Sequence, residues 1–89
     1  MKIKIKLLPP YLKKDHSGEY IVVLQDHSIN LQQLARYLSR EWKDTLNYAL
    51  VDDDKLANAE FMVNGKHVFP DYELSDGDEV TVFPYVGGG

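Results

Sequence analysis

The sequence predicts an α+β domain, a mixed sheet of about five strands with one main helix across one face. Three observations carry that prediction. Short runs rich in β-branched and apolar residues occur toward both ends of the chain. A single segment with helical spacing and a capping signature lies between them. The order is strand, strand, helix, strand, strand, strand, and the right-handed crossover rule lets the first and last strands lie adjacent and parallel at the centre.

Residues 2–8 alternate, with Ile3, Ile5 and Leu7 on one side and Lys2, Lys4 and Lys6 on the other. That is the pattern of a half-buried strand. Pro9-Pro10 ends it, because proline has no N–H for a ladder. A polar connection follows to Gly18, and Glu19 to Gln25 reads as the hairpin partner. Asn30 and Gln33 form a capping box, Ile29 and Leu34 a hydrophobic staple. Leu31, Leu34, Ala35, Leu38 and Trp42 share one face, which predicts a helix over 31–42 with Trp42 as core or rim packing. Over 43–59 the pattern weakens: Thr45 to Leu50 is either a short turn or an irregular strand, and Asp52-Asp53-Asp54 reads as a solvated loop. That acidic triplet lacks the alternating oxygen ligands, central glycine and closing glutamate of a calcium loop. Glu60 to Val63 is a strand, Asn64-Gly65 a two-residue hairpin turn and Lys66 to Phe69 the return. After a turn at Asp76-Gly77-Asp78, Glu79 to Phe83 is the last strand, stopped by Pro84. This order is that of the β-grasp, or ubiquitin-like, roll.

The chain has 89 residues, which bounds it to one domain: residues 1–86 as the packed unit and 87–89 as a glycine tail. It contains no cysteine, which excludes disulfides, thiolate metal sites and cysteine nucleophiles. The histidines His16, His27 and His67 lack zinc-site spacing, and no serine sits in a nucleophile elbow. No metal site, bound cofactor or autonomous enzyme is therefore expected. Charge is polarised: residues 1–14 hold five lysines and no acid, while residues 51–79 hold nine acids against Lys55 and Lys66. The net charge of −4, with no basic stripe of interleaved aromatics, argues against nucleic acid. No apolar run suits a membrane helix and no signal peptide is evident, so a cytoplasmic location is expected.

The chemistry that the residues do suggest is at the end, Phe83-Pro84-Tyr85-Val86-Gly87-Gly88-Gly89. Glycines add nothing to a core and lose the most backbone entropy on ordering. They offer reach, thinness and a carboxylate that a neighbouring active site could thread through a narrow channel. A carboxylate is a poor electrophile. An adenylating partner could convert it to an acyl-adenylate, from which a persulfide or thiolate displaces AMP. Phe69, Phe83, Tyr85 and Val86 are the candidate docking groups near such a tail.

Val63-Asn64-Gly65, Val68, Leu74-Ser75-Asp76-Gly77-Asp78-Glu79-Val80 and the ending from Phe83 together resemble the MoaD/ThiS family of ubiquitin-like sulfur carriers. Asn30-Leu31 with Leu34 and Leu38 resembles the family's helix start, with asparagine where threonine is usual. The resemblance implies C-terminal activation by an E1-like, ATP-using enzyme and a glycyl thiocarboxylate as the working form. It places the thiocarboxylate or adenylate on Gly89 and makes Gly87 and Gly88 the threaded leash. The Leu-x-Asp-Gly-Asp-Glu-Val segment and the Phe-Pro before the tail are nearest to MoaD, the small subunit of molybdopterin synthase. Tyr85 stands where MoaD tails carry a second proline. That reading implies the synthase large subunit as partner. The Val-Gly-Gly-Gly ending is also found in ThiS carriers of thiamine thiazole synthesis. A protein modifier joined to target lysines through Gly89 would use the same activation chemistry.

Overall fold

Lys2–Leu7 forms the first strand, β1, and its alternation is realised: Ile3, Ile5 and Leu7 are fully buried while Lys2 and Lys6 stand in solvent. The computed structural model describes residues 1–7, 18–25, 28–44, 50–52, 55–56 and 59–83. Strand β2, Gly18–Val23, pairs antiparallel with β1, Ile3 opposite Val22 and Ile5 opposite Tyr20. Beyond its end the Leu24 amide donates to the Met1 carbonyl at 2.8 Å. The N-terminal ammonium donates back to the Leu24 carbonyl at 2.9 Å.

Helix α1 spans Leu31–Glu41 and starts on the capping box read from the sequence. The Gln33 amide donates to Asn30 Oδ1 at 2.8 Å, and the Asn30 amide donates to Gln33 Oε1 at 2.9 Å. Leu31, Leu34, Ala35 and Leu38 are buried, as is the staple residue Ile29. Trp42 is the C-cap; it packs against the core, with its ring edge-on to Tyr20 at 5.3 Å.

The weakly patterned middle contains a small hairpin, with Val51–Asp52 (β3) paired to Lys55–Leu56 (β4). The expectation of a solvated loop at Asp52 is corrected to this extent: Asp52 is exposed but lies in a strand. Tertiary packing outweighs the missing local signal, because Leu50 is fully buried and Val51 and Leu56 pack against the core. The Leu50 amide also donates to the helix side chain Ser39 Oγ at 2.9 Å. Residues 45–49 and Asp53-Asp54 lie outside the described residues.

Glu60–Val63 (β5) turns at Asn64-Gly65, both with positive φ of 52° and 81°, into Lys66–His67 (β6). The return strand is shorter than the expected 66–69. The Phe69 carbonyl already accepts from the Tyr72 amide at 2.9 Å, and Pro70 has no amide to extend a ladder. Glu79–Phe83 (β7) closes the sheet in the order β2-β1-β7-β5-β6, with β7 parallel to β1 and antiparallel to β5. The first and last strands are thus central neighbours, as the crossover argument required. Inward residues of β1, β5 and β7 meet α1 in one core, and the alternate residues of these strands point to the opposite sheet face. This is the β-grasp fold.

Candidate partner surface at the base of the glycine tail

The chain reaches its C-terminal segment through β7, so what holds β7 also holds the tail's origin. The turn before it is tightly bonded. Asp78 is a buried carboxylate. Its Oδ2 accepts from the Ser75 amide at 2.8 Å and its Oδ1 from Asn64 Nδ2 at 2.9 Å. Asn64 Oδ1 in turn accepts from the Glu79 amide at 2.9 Å, and the Asn64 amide donates to the Glu79 carbonyl at 2.8 Å. Gly77 supplies the positive φ, 88°, that this turn needs. Its amide donates to the Lys2 carbonyl at 2.7 Å, and the Lys2 amide donates to Asp76 Oδ1 at 2.6 Å. The turn therefore ties the entry of β7 to both of its neighbours.

Val80 and Val82 are buried, which turns Glu79, Thr81 and Phe83 to the sheet face opposite the helix. The register places Met62 opposite Thr81 and His67 opposite Met62. His67 and Phe83 meet edge-on with ring centroids 6.2 Å apart. A Met62–His67–Phe83 surface thus lies where β7 ends. Beside it, Lys4 Nζ lies 3.3 Å from a Glu19 carboxylate oxygen and 3.6 Å from one of Glu79. Its pKa is raised, first by the hydrogen bond and charge of Glu19 and then by Glu79.

Of the docking residues read from the sequence, Phe83 is half-buried on this face. Phe69 projects into solvent at 81% exposure. Tyr85, Val86, Gly87, Gly88 and Gly89 lie outside the described residues. Met62 and His67 were missed. Their signal was available: alternation in the hairpin around Asn64-Gly65 puts them on the same face as Phe83 once Phe61 and Val63 are assigned inward. Among the described residues no group of three or more histidine, aspartate or glutamate side chains could hold a metal ion. No helix among them is long and apolar enough to cross a membrane.

Comparison with known proteins agrees with this architecture. The model of the ThiS family matches residues 19–89, so the chain belongs to the ThiS family, a group of ubiquitin-like sulfur carriers and modifiers. No curated protein matches significantly. Among solved structures, SAMP1 from Haloferax volcanii superposes with a TM-score of 0.78 at 21% identity, covering 100% of both chains. A protein assigned as molybdopterin converting factor, subunit 1, from Pyrococcus furiosus gives a TM-score of 0.68 at 28% identity, covering 96% of this chain and 98% of that one. A chain of the complex of subunits 1 and 2 of the molybdopterin-converting factor from Helicobacter pylori gives 0.59 at 20% identity, with 100% of both chains covered.

Proposed function

We propose that this protein is a sulfur carrier for molybdopterin synthesis, with Gly89 as the residue that bears the sulfur. The observation that carries the reading is the family match, which runs through the strand β7 to Gly89 itself. The 28% identity with a molybdopterin converting factor subunit 1 over nearly the full length of both chains supports this acceptor over thiazole.

In this reading the Gly89 carboxylate attacks the α-phosphorus of ATP on an E1-like partner, and pyrophosphate leaves. A persulfide sulfur then attacks the acyl carbon and expels AMP. A second thiol cleaves the resulting acyl disulfide, leaving the thiocarboxylate on glycine and a disulfide on the donor side. The carrier itself supplies no catalytic group. Its Gly87 and Gly88 admit close approach by the partner's backbone. Ordering them on binding costs affinity, which the folded face supplies. Phe69, Phe83, Tyr85 and Val86 make that contact with the activating enzyme and then with the synthase large subunit.

The test is incubation with the cognate activating enzyme, ATP and a persulfide donor, followed by intact mass. The expected gain is the difference between sulfur and oxygen at the C-terminus, absent after deletion of Gly88-Gly89. No gain, under conditions that charge a known carrier, overturns the reading. Lysine-linked conjugates dependent on Gly89 would instead identify a modifier. The likeness to SAMP1, at 21% identity, speaks for the fold alone.

A further inference from the structure

Asn64 is followed by glycine, and no other asparagine in the chain is. An Asn-Gly pair is suited to an intramolecular reaction, because glycine has no Cβ to keep its amide nitrogen away from the preceding side chain. The Gly65 nitrogen can attack Cγ of Asn64. A new C–N bond closes a succinimide ring, the amide proton passes to solvent, and the Cγ–Nδ2 bond breaks as ammonia leaves. Water then adds to either ring carbonyl and opens the ring, leaving aspartate or isoaspartate at position 64. Water is the only co-reactant.

The turn is open to this reaction. Asn64 and Gly65 are both exposed. A Cβ built on Gly65 would meet no heavy atom within 4 Å, so nothing crowds the nucleophile. What opposes the reaction is the grip on the Asn64 carboxamide. Its Nδ2 donates to Asp78 and its Oδ1 accepts from the Glu79 amide, both at 2.9 Å. The leaving group and the carbonyl are thus both held toward the entry of β7, and Cγ must swing back along its own chain to meet Gly65. The Asn64 amide is held as well, by the Glu79 carbonyl at 2.8 Å. Asp76-Gly77 is the comparable aspartate pair, and there the nucleophile itself is engaged: the Gly77 amide donates to the Lys2 carbonyl at 2.7 Å.

We propose that Asn64-Gly65 is a latent modification site, a spontaneous deamidation site gated by the Asn64–Asp78 bond, and that its conversion releases the entry of β7. While the bond is closed the carboxamide is out of reach, so the rate follows the fraction of molecules in which it is open. The product cannot restore the grip. Aspartate has no Nδ2 donor and sets a second carboxylate against that of Asp78. Isoaspartate also lengthens the backbone of a two-residue turn whose geometry admits no extra atom. Either product takes from Asp78 its donor on the β5–β6 hairpin. The loss of ammonia is not reversed, so the hairpin records the age of the molecule in the strand that leads to the glycine tail.

Full-length protein held for days at mildly alkaline pH in heavy-oxygen water, then digested and mapped by mass, tests this. Label should enter at position 64, as aspartate and isoaspartate, at least about tenfold more slowly in the folded protein than in the same chain unfolded in urea. Asp78→Ala should speed the folded reaction roughly tenfold. Asp78→Asn, which keeps an acceptor of the same shape without the charge, should speed it less. Asn30→Ala lowers global stability and leaves the Asn64–Asp78 bond intact, so it should leave the rate unchanged. Asn64→Asp, which makes one product directly, should lower the urea midpoint and speed hydrogen exchange at the Lys4 and Glu79 amides, whose partners are Asp78 and Asn64. Equal rates in folded and unfolded protein, equal acceleration by Asn30→Ala and Asp78→Ala, or label at position 76 and not 64 overturns the gated site. An Asn64→Asp midpoint equal to that of the parent overturns the release of β7.

Discussion

Asn64 Nδ2 donates to the buried carboxylate of Asp78 at 2.9 Å, and through that bond the tip of the β5–β6 hairpin grips the entry of the central strand. The two residues are 14 positions apart in sequence. Neither acts alone: Asn64 also accepts from the Glu79 amide, and Asp78 from the Ser75 amide. A buried carboxylate with its acceptor sites filled is tolerated, and one stripped of them is costly.

Asp78→Ala should therefore leave the Ser75 amide and the Asn64 side-chain amide without their acceptor. The expected loss is about 1–3 kcal/mol of folding stability, read as a lower midpoint in urea denaturation. A midpoint equal to that of the parent would show that the network is dispensable.

The helix start is a separate, additive contribution. Asn30→Ala removes the acceptor for the Gln33 amide while leaving the core untouched. It should cost about 1 kcal/mol. Asn30→Ser, which keeps a capping oxygen, should recover most of that in the same denaturation measurement.

Lys4 ties three strands through Glu19 and Glu79. Its folded pKa is raised above the ordinary 10.5, so its charge is bound more tightly in the folded state. The resulting stability is fully present below the unfolded pKa and is lost as pH rises through the higher folded value. The difference in urea midpoint between the parent and Lys4→Met should be level from neutral pH to about 10 and shrink above it. The amine is solvent-accessible, so the difference should also shrink in high salt. A difference that grows with pH above 10 would reverse the assigned sign.

Phe69 separates folding from docking. At 81% exposure its truncation to alanine should change stability by no more than about 0.5 kcal/mol. If it anchors a partner, the same change should weaken binding to the large subunit proposed as partner by about 1–2 kcal/mol, measured by calorimetry. Unchanged affinity would remove Phe69 from the docking surface.

Much of the architecture was legible in the chain, for local reasons. The alternation of Ile3, Ile5 and Leu7 with lysines, the Asn30–Gln33 box and the Asn64-Gly65 turn each concern residues close in sequence, where periodicity and dihedral preference act directly. The candidate site was legible in part. Phe83 and Phe69 were found because they are aromatic near the tail. Met62 and His67 were not, because what makes them a surface is their register against β7.

The sequence by itself determined the helix and its N-terminal cap, the faces of the strands, the turn residues and the family, through patterns that need no distant partner. Only the tertiary structure decided that Asp78 is buried, that Val51 and Leu56 pair without a strand signal, and that β2 ends the sheet order beside an arginine-lined groove. The reason is physical. Burial, register and edge status are set by which elements meet across the sheet, and those meetings join residues whose separation along the chain hides them from any local pattern.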